Sequence, residues 1–130
     1  MSEYFSSFLP FMLEGTWRTL EVFVLTLLIS LPLGLPFALG ALSKIKPLSF
    51  ICKVYVWIFR GTPLMLQLFF FYFFFPIVLH IELALFPTVI ITFVFNYSAY
   101  FAEIYRGGIN SIDRGQYEAA HALGLSLIHI

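Results

Sequence analysis

The residues of this chain that could carry chemistry are few, and their spacing argues against catalysis. His80, His121 and His129 show no His-x-x-x-His spacing and no neighbouring cluster of carboxylates, so no metal site is expected. Cys52 is the only cysteine, which excludes an intramolecular disulfide and reads as a small apolar filler. No glycine-rich phosphate loop, Ser/His/Asp set or Cys/His set is present, and no cofactor is expected. What remains is a handful of polar groups set in or beside long apolar runs. Gln67, Asn96 and Ser98 lie within such runs; Arg60, Glu103 and Arg106 lie at their margins. In hydrocarbon, groups of this kind join helices or line a pathway. Arg60, Gln67 and Asn96 are therefore the candidate gate or pathway residues. For Arg60 the plainer alternative is an anchor at the membrane surface, with a helix starting at Pro63 and Thr62 as its N-cap. Glu103 and Arg106 are one helical step apart, a spacing that permits an ion pair.

The elements that position these groups follow from composition. Of 130 residues, 61% are hydrophobic and only 11% are charged. Soluble domains carry about 25% charged residues, and a chain this small keeps much of its surface exposed. Mean hydropathy is +0.95. A water-soluble globule and a disordered chain are both excluded. Lys+Arg 7 against Asp+Glu 7 leaves no basic footprint for nucleic acid. An integral membrane protein in contact with lipid is what such a composition supports.

Charge placement divides the apolar sequence. No charge falls between Glu21 and Lys44, between Arg60 and Glu82, or between Glu82 and Glu103. Each interval is about 20 residues, which as helix covers the roughly 30 Å of a bilayer core. The spacing predicts an all-α, polytopic protein with three transmembrane helices at about 19–42, 63–79 and 83–102. The solid apolar run 68–75 argues against an alternating barrel strand. Pro32 and Pro36 would kink the first span, and Gly34 with Ala38 forms a small-xxx-small pair suited to close helix packing. The first seventeen residues hold Glu3 and Glu14 but no Lys or Arg, so no cleavable signal is expected. Lys44, Lys46, Lys53 and Arg60 lie between the first two spans, and Arg106 and Arg114 follow the third; only Arg18 falls on the other side. By the positive-inside rule the N-terminus is outside and everything after Arg106 is cytoplasmic. The aromatic segment 48–59 reads as an inner-surface helix or the lower end of the second span.

The tail after the third span is the least apolar stretch. Gly107-Gly108 is expected to break or bend the helix, the segment Ser111–Asp113 to cap a new one, and Gly124 to end it. Between them lies a short helix with Glu118, Ala119, Ala120 and Ala122. Small side chains let such a helix lie deep in a partner's groove.

Three motif blocks give this pattern an identity. Glu118-Ala119-Ala120-x-x-x-Gly124 resembles the EAA loop of permease subunits of binding-protein-dependent ABC importers. Phe59-Arg-Gly-Thr-Pro-Leu64 with Gln67, then Ala99-Tyr100-x-x-Glu103-Ile-x-Arg106-Gly-Gly-Ile109-x-Ser111-Ile112 and Gly115-Gln116, are similar to the polar amino-acid uptake subfamily. The likeness runs from about Gly15 to Ser126, in one partial permease domain over 1–130 with a cytoplasmic EAA loop at about 106–126. The resemblance implies a multi-pass subunit of the bacterial inner (plasma) membrane that transports polar amino acids by alternating access and is not itself an enzyme. It implies three protein partners: a cytoplasmic ATPase subunit, a second permease subunit, identical or related, and an extracytoplasmic amino-acid-binding protein. Coupling to the ATPase falls to Glu118, Ala119, Ala120 and Gly124, with Glu103, Arg106, Gly107 and Gly108 supporting the loop. Family members continue through further spans, so relative to them the chain is expected to be truncated at its C-terminus. The alternative reading is a non-transporting helical adaptor that recruits a cytoplasmic partner through its tail helix.

Overall fold

The computed structural model describes residues 1–130 and is all-α. Five helices, α1 (Ser2–Ala41), α2 (Lys46–Gly61), α3 (Leu64–Val78), α4 (Leu85–Asn110) and α5 (Arg114–Ala122), are followed by a 3-10 turn at Leu127–His129. α1 and α4 are each long and apolar enough to cross a membrane; α2 and α3 reach that length only together, bent by 110°. α3 alone has 15 residues, about 22 Å of helix. The interval 63–79, expected to be the second span, is filled by α3, the second limb of a pair that forms a broken span or a re-entrant loop.

The apolar interval 19–42 lies within a much longer helix, because nothing upstream ends it. α1 has 40 residues, about 60 Å. The Ser6, Ser7, Thr16 and Thr19 hydroxyls donate back to carbonyls three or four residues earlier and so stay within the helix. Glu3 sits in the first turn, where the helix dipole favours a carboxylate. Residues 2–20 are exposed.

The core is a seam of small residues between α1 and α4. Ala38, Ala99 and Ala102 are buried, as are Ser30, Ser98, Thr88 and Thr92. A Cβ on Gly34 would come 2.8 Å from Phe101 Cβ and 3.1 Å from the Ser98 carbonyl oxygen, so only glycine permits this approach. Lipid gives helices no hydrophobic reason to associate, and close backbone packing replaces it. Three of the buried hydroxyls are satisfied within their own helices: Ser30 donates to the Thr26 carbonyl, Thr88 to that of Ala84 at 3.0 Å, and Thr92 to that of Thr88 at 2.7 Å, whereas the Ser98 and Thr26 hydroxyls have no partner within the chain. Tyr105 of α4 donates to the Leu31 carbonyl at 3.0 Å, in the turn that contains Pro32, where neighbours commonly re-pair a proline-disturbed backbone. α2 joins the seam at its other end. Cys52 is buried against Gly40, and Ser49 donates to the Ala41 carbonyl at 2.8 Å.

Two local expectations are corrected. Gly107-Gly108 does not break α4, which continues to Asn110 with the Ser111 amide donating to the Gly107 carbonyl at 3.0 Å. Both glycines lack a positive φ, and each costs a helix only about 1 kcal/mol. Ser111 accordingly ends α4, and Asp113 alone is the N-cap of α5, without a side-chain capping bond. The N-cap of α3 is Pro63 rather than Thr62, because the residue before a proline is held extended.

Replacing Gly34 with Leu should lower stability by about 1–3 kcal/mol, the usual cost of overpacking a tight contact. Thermal unfolding in detergent reads this as a lower midpoint. An unchanged midpoint would mean that α1 and α4 do not meet at Gly34.

Candidate functional site

The tail helix is built to be approached from outside. No helix of the bundle packs along α5; its principal neighbour is the 3-10 turn that follows it. Gly124 has φ +69, the Gly124 amide donates to the His121 carbonyl at 3.2 Å, and the Leu125 amide to the Ala120 carbonyl at 2.8 Å. This is the left-handed glycine stop, which turns the chain back under the helix. Ala119 and Ala120, about 100° apart around the helix, consequently differ in exposure. Ala119 is exposed, whereas Ala120 is only 7% exposed, in the recess where Tyr117, Leu125 and Ile128 gather. Glu118 is exposed and pairs with Arg114 one turn earlier, at 3.3 Å. A pair so open to solvent contributes little and exchanges partners readily. The face offered to solvent is therefore Glu118, Ala119 and the glycine turn.

Above the tail, three charges gather where α2 and α4 meet. Glu103 accepts from Arg106 through both carboxylate oxygens, one contact being 3.2 Å from Arg106 Nε. Arg60, from the end of α2, lies 3.8 Å from the same carboxylate, with its guanidinium 5.7 Å from the centre of the Tyr100 ring. One carboxylate thus ties two helices and serves two arginines. The local Glu103–Arg106 spacing was legible in the sequence; the closure onto Arg60 was not. Its only signal was opposite charge at the same end of two apolar intervals. Gly107 and Gly108 follow on the same helix with open space around them.

Gln67 occupies a different place. Its amide nitrogen lies 2.9 Å from the Phe59 carbonyl, 3.1 Å from the Thr62 carbonyl and 2.7 Å from the Thr62 hydroxyl. Those groups belong to the end of α2, which the 110° bend leaves without helical partners. Gln67 therefore braces the bend. Asn96 is buried in α4 beside Phe95, whose ring stacks on Phe59 and Phe71 and whose carbonyl accepts from Tyr55. The structure brings Arg60 to Glu103 and Arg106 but does not gather Arg60, Gln67 and Asn96 around one space. A cleft of about 620 Å³ opens elsewhere, between α1 and α4 near Arg18, Thr26 and Phe93. No group of three or more His, Cys, Asp or Glu side chains is placed to hold a metal.

Similarity to known proteins covers the same elements. Residues 17–130 match the family model described as binding-protein-dependent transport system inner membrane component. The arginine transport system permease protein ArtQ of Bacillus subtilis is 43% identical over 117 residues, covering 90% of this chain and 53% of that protein. The L-cystine transport system permease protein TcyB of the same organism is 38% identical over 120 residues, covering 92% and 51%. A crystal structure of an amino acid ABC transporter with histidines superposes with a TM-score of 0.83 at 34% identity, over 95% of this chain and 57% of that one. The chain spans about half the length of the curated relatives it matches.

The charge cluster makes a quantitative prediction. Glu103→Gln should cost about 1 kcal/mol, kept small because the groups are partly solvated. In double-mutant cycles read by unfolding in detergent, Glu103 should couple more strongly to Arg106 than to Arg60. Stronger coupling to Arg60 would contradict the geometry.

Proposed function

This chain belongs to the family of binding-protein-dependent transport system inner membrane components, and we propose that it is a permease subunit of an ABC importer of polar amino acids. The observation that carries the mechanistic part is α5: a short helix off the bundle, ended by a left-handed glycine, with Ala119 open and Glu118 held only by an exposed pair. A helix with that face fits a groove in a cytoplasmic ATPase subunit, because an alanine lets the backbones come close and a solvated carboxylate can take a new basic partner. ATP is hydrolysed on that partner, and closure of two such ATPases moves α5.

The movement reaches the membrane through a short path. α5 is joined to α4 by the three residues Ser111–Asp113, and α4 is tied to α2 by Glu103 and to α1 by the small-residue seam. A displacement of α5 therefore moves the α1–α4 pair as one body against the hinged α2–α3 pair, the kind of rigid-body step that alternating access requires. In this reading the N-terminus is outside, the EAA loop is cytoplasmic, and a second permease subunit encloses the pathway. An extracytoplasmic binding protein delivers the amino acid. Arg60, Gln67 and Asn96 remain the pathway or gate candidates of this chain, Arg60 through the Glu103 cluster and Gln67 through the bend.

The test uses the assembled importer. Ala119→Arg should reduce the ATPase subunit recovered with the permease by about tenfold or more, the equivalent of about 1.4 kcal/mol. Tyr4→Ala, at the far end of α1, should leave recovery unchanged. Full recovery with Ala119→Arg would rule out docking through this face, and recovery of some other cytoplasmic protein in place of an ATPase would favour the adaptor reading.

A further inference from the structure

The recess between α2 and α4 holds more positive charge than its ion pairs consume. It is lined by Lys53, Trp57 and Arg60 from α2 and by Glu103 and Arg106 from α4, around a space of about 230 Å³. Positions 53, 57 and 60 are four and three residues apart, so they form one stripe along α2. Three cations face one carboxylate, and two positive charges are left over. Glu103 already serves both arginines, and Lys53 takes part in no ion pair. The Arg60 and Arg106 side chains keep 42% and 36% of their surface open, so their remaining donors can be reached. The floor is apolar, made by Val56 and Ala102, and the exposed indole of Trp57 stands at the rim. Trp at the end of an apolar stretch sits at headgroup depth.

We propose that this recess binds the phosphate headgroup of an anionic phospholipid in the cytoplasmic leaflet. The inference rests on the orientation given under Proposed function, which places this end of α2 and α4 at the inner surface. A phosphate diester fits the charge because its oxygens can take the free donors of two guanidiniums and the Lys53 ammonium at once. The volume suits a headgroup rather than an acyl chain, and the chain would lie along the exposed apolar surface beside Trp57. Basic pockets between helices on the cytoplasmic side are the usual lodging of anionic headgroups. A bound lipid would also draw Arg60 away from Glu103, loosening the tie between α2 and α4, so leaflet charge and helix coupling would be linked.

The test is native mass spectrometry of the delipidated permease, titrated with phosphatidylglycerol, phosphatidylcholine or inorganic phosphate. Phosphatidylglycerol should be retained about tenfold more tightly than phosphatidylcholine. Lys53→Gln should weaken it about fivefold, the equivalent of the roughly 1 kcal/mol that each basic residue gains at an anionic membrane surface. Lys53 makes no ion pair, so this variant should fold normally, and it should recover the ATPase subunit as the parent does. That separates failure here from failure of α5 docking. Equal retention of the two lipids, or no effect of Lys53→Gln, would overturn the proposal. Inorganic phosphate binding as tightly as phosphatidylglycerol would also overturn it, by showing a site for free phosphate.

Discussion

The close approach of α1 to α4 is the constraint on which the rest depends. In a bilayer the apolar side chains gain nothing by leaving lipid for each other, so two helices stay together only where their backbones nearly touch. Gly34 supplies that contact, and Ala38, Ala99 and Ala102 extend it. The largest fully buried side chains are Thr88, Thr92, Ser30 and Ser98 rather than leucines or phenylalanines. Many large apolar residues, including Phe69, Phe70 and Phe73 of α3, are exposed, as suits contact with lipid or with other helices. The protein is thus inverted relative to a soluble bundle: small and polar inside, large and apolar outside.

Several polar side chains of the long helices reach across to the backbone of another element or of the bend. Tyr105 reaches the Leu31 carbonyl near Pro32, Tyr55 reaches the Phe95 carbonyl, and Gln67 reaches the loose end of α2. Each is a cross-link to a backbone carbonyl, and the Phe59 carbonyl reached by Gln67 is one that Pro63, lacking an N–H, cannot pair. Leaving that carbonyl unpaired in hydrocarbon would cost several kcal/mol. The Glu103 cluster links α2 to α4 with charge, through side chains that stay partly exposed. The fold therefore reads as one stiff α1–α4 pair, a hinged α2–α3 pair braced against it, and α5 hanging from the end of α4.

Much of this was legible in the sequence, for a physical reason. Charges are costly in a bilayer, so the uncharged intervals marked out α1, α4 and the α2–α3 region directly. Gly34 with Ala38 and the stop at Gly124 were legible because only small residues suit a tight crossing or a left-handed turn. Other features depend on geometry that one-dimensional spacing does not carry. The contact of Arg60 with Glu103 joins residues in separate helices and exists only once α2 and α4 have crossed. The 110° bend depends on how Gln67 folds back, not on Thr62-Pro63 alone. The start of α1 at Ser2 and the continuation of α4 through Gly107-Gly108 went unread for a shared reason. Glycine and charge weaken a helix without ending it when the backbone ladder is otherwise intact. The difference in exposure between Ala119 and Ala120 likewise follows from the return of the chain after Gly124.

The claim that α5 is the contact with an ATPase is tested most directly by site-specific cross-linking. Cys52 is buried, so Ala119→Cys introduces the accessible thiol on the chain. The account predicts a cross-link from position 119 to the ATPase subunit in membranes, with a yield that changes on adding ATP, and none from Ser7→Cys near the start of α1. A cross-link from position 7 but not from position 119, or none from either in an assembled importer, would contradict it.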